Sequence, residues 1–285
     1  MFGVHRFAKL LAVVLTAVIC ASAASLAGQT QTTAADGVVY EVPILMYHSV
    51  CKNSRVHSDY IISPEKFEED IRYLKENGYT AVSTSDIVGC VKNGTRLPEK
   101  SVVITLDDGF YNNLSNVLPV LQKYNFRATV NVVGKYSEQF SESGDKNPAY
   151  AYLSWEDISA LVASGVVEIG SHTYDMHSLG TRRGCKIKKG ENAESYKALL
   201  YDDLSKLRDT LSAKCGVTPT VFAYPYGECC DEAREVLEKL GFSAAYNCRE
   251  RINQIGSNTD LLQLCRINRD GHLSTEEFMN KWGID

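Results

Sequence analysis

Val102-Val103-Ile104-Thr105-Leu106-Asp107-Asp108-Gly109 is the stretch on which the fold turns. Its first five residues read as an apolar strand. Two adjacent carboxylates stand immediately beyond it. Neighbouring side chains on a regular strand point to opposite faces, so both can serve one site only where the backbone turns, and Gly109 helps it turn. One carboxylate can then hold a cation while the other stays free as a base. An Asp-Gly pair taken alone is equally a surface turn; its weight comes from what surrounds it.

Working outward, strand-like and helix-like segments alternate. Residues 43–48 form a short apolar strand. Residues 64–77 form a helix, with Ser63 as cap, Pro64 at its first position and Gly78 at its end. Phe67, Ile71 and Leu74 share one of its faces. Further strands are expected over 80–83, 128–133, 166–170, 221–224 and 243–246. Helices are expected over 113–124, where Pro119 suits a kink, from Ser154 to Gly165 with Asp157 completing a capping box, and over 194–214, 230–240 and 275–282. Repeated βα units, with no internal repeat and no second-domain boundary, imply a mostly parallel sheet, barrel or open. His48, Asp107-Asp108, His172 and Pro225-Tyr226 each end or follow one of these strands. In a barrel those strand ends share one rim, where active sites are built.

His172 and His177 are five residues apart, about 140° on a helix, so they are not a helical pair. A loop leaving a strand can bring both imidazoles to one ion. With Asp108 they make three ligands and leave a position for water, the arrangement of a catalytic rather than a structural zinc. This combination points to metal-assisted hydrolysis. The turn Phe222-Ala-Tyr-Pro-Tyr-Gly227 can aim a backbone N–H at a developing oxyanion. Tyr226, with Pro225 beside it, and Trp155 are the candidates to contact a sugar ring, and both rings suit the core equally. His48 can reach the same rim and donate a proton. Asn268-Arg-Asp-Gly-His-Leu-Ser-Thr-Glu-Glu277 resembles half of a calcium loop. Setting Gly271 in sixth place puts Arg266 first, where a carboxylate is needed, so calcium is rejected there.

The 285 residues are 44% hydrophobic and 23% charged, with a net charge of −5, ordinary values for a globular chain. Arg6 and Lys9 precede an apolar run, Leu10 to Ile19, and then small residues, Ala21 to Ala27. Together they read as an export signal over residues 1–27, followed by a polar linker over 28–39 and a domain over 40–285. Without the first 35 residues the balance is 28 basic against 35 acidic, or −7. With no basic run, this disfavours nucleic acid as a partner and is compatible with a neutral sugar substrate. Eight cysteines follow the signal. An even number in an exported chain permits disulfides, and the lack of a Cys-x-x-Cys pair argues against a thiolate zinc site.

Taken together, Thr105-Leu-Asp-Asp-Gly109 and Ser171-His172-Thr173, at this separation, resemble the polysaccharide deacetylase family, or NodB homology domain. The resemblance spans residues 40–285. It implies a distorted (β/α)7 barrel with a single catalytic domain, and a divalent metal, zinc foremost, serving removal of acetyl groups from N-acetylated sugars or acetylated xylan. It gives Asp107 the role of catalytic base, Asp108, His172 and His177 those of metal ligands, and the backbone N–H of Tyr226 that of oxyanion donor. There are three departures. The family's histidines are commonly four apart, not five. An arginine commonly stands two residues before the proline, where this chain has Ala223. The usual C-terminal Leu-x-His is replaced near its place by Leu264-Cys-Arg266. All three resemble the subgroup that deacetylates poly-β-1,6-N-acetylglucosamine, whose Met-Tyr-His motif matches Met46-Tyr47-His48 and makes His48 the candidate general acid. The missing arginine leaves the orientation of Asp107 open. A monomer, secreted or associated with the cell envelope and acting on N-acetylated polysaccharide, is expected. A peptidoglycan deacetylase and a catalytically silent glycan-binding domain are the alternatives. Substrate choice is expected to lie in the loops 137–152 and 181–196.

Overall fold

The computed structural model describes residues 37–52 and 58–285. The expected export signal and most of the linker lie outside these residues. In chain order the strands are β1 (Tyr40–Val42), β2 (Ile44–Tyr47), β3 (Ser49–Val50), β4 (Ile61–Ile62), β5 (Thr80–Ala81), β6 (Ser101–Leu106), β7 (Ala128–Val132), β8 (Val167–Ser171), β9 (Val221–Ala223), β10 (Ala244–Tyr246), β11 (Asn253–Ile255) and β12 (Ile267–Asn268). The helices are α1 (Pro64–Glu76), α2 (Thr84–Asn93), α3 (Leu118–Tyr124), α4 (Gly134–Ser143), α5 (Trp155–Ala163), α6 (Ala193–Cys215), α7 (Asp231–Lys239) and α8 (Thr275–Trp282).

Seven strands lie side by side in the order β10-β9-β8-β7-β6-β2-β12, with β5 against the start of β6. Every pairing in this sheet is parallel. All six residues of β6 are buried, as befits a strand enclosed on both faces. The sheet curls until its edges approach, and Tyr246 of β10 makes one parallel bridge to Leu264, just ahead of β12. This is the distorted (β/α)7 barrel, in a single domain, that the sequence motifs imply.

Local chemistry sets the helix ends. Ser63 accepts the Lys66 N–H at 3.1 Å and Pro64 opens α1. Ser154 and Asp157 form the expected capping box of α5. The helix expected over 113–124 is divided: Asn113–Val117 is a π-turn, and α3 begins at Leu118 with Pro119 in its first turn. Proline has no N–H to give the preceding turn, so the chain widens there instead of continuing as α-helix. Residues 84–93, given no element from the sequence, and 134–143, which overlap the expected loop 137–152, are the helices α2 and α4. Ser83, expected to end a strand, caps α2 in a reciprocal box with Asp86.

The C-terminal segment is clamped to the N-terminal half by a buried pair. Arg269 donates to both carboxylate oxygens of Asp70 on α1, at 2.8 and 3.0 Å, and Thr275 and Tyr47 donate to the same carboxylate. A charge pair buried this deeply is tolerable only when its hydrogen bonds are this complete. The eight cysteines beyond the expected signal are all free thiols. Among the described residues no helix is long and apolar enough to cross a membrane.

Candidate active site

Parallel strands deliver the candidate residues to one end of the barrel. His48 follows β2, Asp107 and Asp108 follow β6, His172 follows β8, and Tyr226 lies three residues beyond β9. Asp108, Thr173 and Tyr226 each take a left-handed backbone, at φ 69°, 72° and 59°. Such a conformation is uncommon outside glycine, and for a β-branched threonine it is an outlier held by its surroundings. At Asp108 it has a direct consequence: the chain turns one residue past the strand, and both carboxylates face the same site. Asp108 makes this turn together with Gly109.

Asp107 is held from two sides. Arg266 grips it with a planar fork, Nη1 to Oδ1 and Nη2 to Oδ2, both at 2.7 Å. Asn131 on β7 donates to Oδ1 at 2.8 Å. Arg266 is 0% exposed. It precedes β12, whose register pairs Ile267 with Leu45, so its side chain rises through the barrel past Thr105 to reach Asp107. Burial would raise the Asp107 pKa, but the Arg266 charge and its hydrogen bonds hold it far below the usual carboxylate range. The orientation left open in the sequence is thus supplied from the C-terminal strand. In the sequence Arg266 had appeared as the wrong residue for a calcium loop and near the place of the missing C-terminal histidine, with no role given to it. The available signal was a cation inside an apolar run, and Asn131 gave a similar one inside the apolar strand Ala128–Val132.

Space for Asn131 comes from Gly170, its register partner on β8. A Cβ at Gly170 would lie 2.0 Å from Asn131 Oδ1. Gly170→Ala is therefore expected to push Asn131 off Asp107, lower stability by about 1–3 kcal/mol and reduce turnover. Chemical denaturation and a rate assay on the same preparation check both effects.

The other carboxylate meets the histidines. Asp108 Oδ1 lies 3.3 Å from His177 Nε2 and 3.7 Å from His172 Nε2, and one ligand atom from each residue falls within 4.8 Å of the others. The Ala223 carbonyl, which can only accept, lies 2.7 Å from His172 Nδ1. The proton is therefore on Nδ1, and the Nε2 lone pair faces Asp108. Burial pushes the His172 pKa down to about 3 and also lowers that of His177, so both imidazoles are neutral at pH 7. Burial and the neighbouring Asp107 charge raise Asp108 to about 6. Arg266 is already matched by Asp107, so an ionised Asp108 leaves the pocket one negative charge in excess. Two imidazoles, one carboxylate and that charge fit a divalent cation. The two carboxylate–imidazole separations, 3.3 and 3.7 Å, are close to the edge, about 3.3 Å, of a tetrahedron with zinc bond lengths.

His48 presents its ring edge to Tyr60, with centroids 4.8 Å apart. Its Nδ1 is buried with no partner among the described residues. Burial lowers its pKa, and the charges of Asp108 and Asp107 oppose that shift. The Tyr226 hydroxyl lies 3.4 Å from His177 Nδ1, and its N–H finds no acceptor among the described residues. The other two sugar-contact candidates are placed differently. Trp155 is 6% exposed and packs in the core with Ile158 and Leu161, because it opens α5 on that helix's inner face. Pro225 is buried beneath Gly184, where even a Cβ would lie 2.6 Å from the Pro225 carbonyl. Neither offers a face to a sugar.

The comparisons agree with this geometry. The sequence model of the family described as polysaccharide deacetylase matches residues 94–245. A poly-beta-1,6-N-acetyl-D-glucosamine N-deacetylase of Escherichia coli K12 is 31% identical over 193 residues, covering 61% of this chain and 29% of that protein. The chain thus spans under a third of that relative's length. The protein of the same name from Staphylococcus aureus MRSA252 is 26% identical over 231 residues, 81% of this chain and 74% of the other. The structure of IcaB from Ammonifex degensii superposes with a TM-score of 0.71 at 25% identity, covering 86% of this chain and 98% of that one. With more than half of the chain matched by the family model and the acidic pair, histidines and turn gathered at one rim, this chain belongs to the polysaccharide deacetylase family.

Proposed function

We propose that the chain is an exported, zinc-dependent enzyme that hydrolyses acetamide groups of a poly-N-acetylglucosamine. The observation that carries this reading is the division between the two carboxylates: Asp108 converges with His172 and His177, while Asp107 is kept ionised beside them by Arg266. The names of the E. coli and S. aureus relatives support the choice of polymer. The basic, apolar and small-residue pattern of residues 1–27 supports export.

Asp108, His172 and His177 would hold the metal, which when bound supplies Lewis-acid polarisation of the acetamide carbonyl and a more acidic water. Asp107 accepts the proton of the attacking water. The Tyr226 N–H donates to the oxyanion as the carbonyl becomes tetrahedral. His48 then gives a proton to the departing sugar nitrogen as the C–N bond breaks, releasing acetate and a free amine. Burial lowers the His48 pKa below the usual histidine value, so its protonated form is already being lost below neutral pH, and the rate is expected to fall as pH rises through that range.

The test is to strip the purified protein with chelator, restore single metals and measure acetate released from β-1,6- and β-1,4-linked N-acetylglucosamine oligomers and from peptidoglycan. Zinc is expected to restore release, with β-1,6 oligomers preferred. Release that is indifferent to chelation would sink the reading. Zinc affinity is expected to fall with acidity below about pH 6, as Asp108 takes up a proton, and titration calorimetry across pH 5–8 measures that dependence.

A further inference from the structure

An aromatic wall adjoins the Asp108–His172–His177 cluster, and the chemistry described so far makes no use of it. His177 stacks obliquely on Tyr226 at 4.8 Å and meets the edge of Tyr136 at 6.2 Å. Tyr136 lies 4.5 Å from Tyr152, which in turn stacks on Phe110 at 4.7 Å, with planes 22° apart. Phe140 supports Tyr152 from α4 at 5.5 Å. The wall is half-buried: its rings are packed against each other, and each remains partly exposed.

The backbone holds this wall to the site itself. Tyr111 N–H donates to Ala151 O and Leu153 N–H to Gly109 O, both at 2.8 Å, so the segment carrying Tyr152 is zipped to the Asp107-Asp108-Gly109 turn. Gly134 and Lys135 N–H donate to Thr173 and Tyr174 O, at 3.1 and 2.8 Å. The first turn of α4, with Tyr136, is thereby fixed to the histidine loop. Burial and the nearby Asp108 charge keep both phenols neutral.

We propose that Tyr136 and Tyr152 form a stacking platform for the sugar residue adjacent to the one that loses its acetyl group. A β-linked glucosamine ring carries its substituents equatorially and presents axial C–H groups on its faces, the surface that a pre-ordered aromatic ring binds. This rests on the glycan reading above. It makes Tyr136 and Tyr152 specificity residues that recognise chain length and take no part in bond breaking.

The test uses penta-N-acetylglucosamine, β-1,6- and β-1,4-linked, titrated into the zinc-loaded Asp107→Asn protein so that ligand is not consumed. Tyr136→Ala and Tyr152→Ala are expected to weaken binding about tenfold each. Tyr136→Phe and Tyr152→Phe, which keep the ring face and the fold, are expected to bind within about twofold of their parent. In the otherwise native enzyme, the four variants are expected to hydrolyse a small acetate ester at the native rate. Unweakened pentamer binding by the alanine variants would overturn the platform, as would a parallel loss of ester hydrolysis. If the Asp107→Asn parent binds neither pentamer while the native enzyme cleaves the ester, the glycan reading itself fails.

Discussion

Arg266→Ala is expected to remove activity and stability together. The variant leaves Asp107 buried without its two 2.7 Å guanidinium bonds. Burial then governs the carboxyl group, its pKa rises, and the base is held in its protonated form. Turnover is expected to fall on the order of 10²–10⁴-fold, the usual worth of a positioned general base. Removing one member of a buried pair also costs about 3–5 kcal/mol of stability. The pH dependence identifies the cause. In the native protein the folded pKa of Asp107 is depressed, so its contribution is present above the unfolded value and is lost only in strong acid. The variant lacks that contribution, so the gap between the two proteins is widest at neutral pH and narrows below about pH 4. Urea unfolding at several pH values measures it. Arg266→Lys keeps the charge but loses the fork, and an intermediate rate is expected. A double variant, Arg266→Met with Asp107→Asn, is expected to regain stability without activity. Native turnover in Arg266→Ala would show that Asp107 is not the base.

Asp107→Asn and Asp108→Asn are expected to fail in different ways. The first keeps zinc and loses turnover by about 10²–10⁴-fold. The second loses zinc as well, with affinity reduced by at least about 100-fold, since even residues outside the ligand set reach that figure. Metal content and acetate release, measured on the same samples, separate the two. Stability adds a third reading. In the metal-free protein Asp108 has a raised pKa of about 6, so it favours the folded state only when protonated, and that advantage disappears as pH rises. Asp108→Asn is therefore expected to make the metal-free protein more stable at pH 7, by up to about 3 kcal/mol. Full zinc loading of Asp108→Asn would overturn the ligand assignment. Loss of zinc from Asp107→Asn would overturn the division of labour between the two carboxylates.

Several parts of this arrangement are legible in residue order because their causes are local. Val102–Leu106 is strand-like by composition, and Ser63-Pro64 and Ser154–Asp157 mark helix starts because a cap needs only four residues to form. His48, Asp107, Asp108, His172 and Tyr226 lie on one rim because parallel strands put their C-terminal ends on one side. The departures from expectation have other physical origins. Trp155 resembles a sugar-stacking residue in sequence, but the packing of α5 turns it inward. Tyr152, at the end of a loop with no periodic signal, takes a place beside the site because backbone hydrogen bonds tie that loop to Gly109 and Tyr111.

What the residue order determined by itself is the chemistry available: two carboxylates at a strand end, two histidines in a loop, and a Tyr-Pro-Tyr-Gly turn, within alternating βα units. The tertiary structure alone decided how each group is used. Arg266 is 159 residues from Asp107 in the chain, and no periodicity or spacing rule connects them. Parallel pairing sets β12 beside β2, and the low-dielectric interior makes that guanidinium hold Asp107 ionised while Asp108 faces two neutral imidazoles. A charge pair of this kind depends on distance and burial, and both exist only once the barrel has formed.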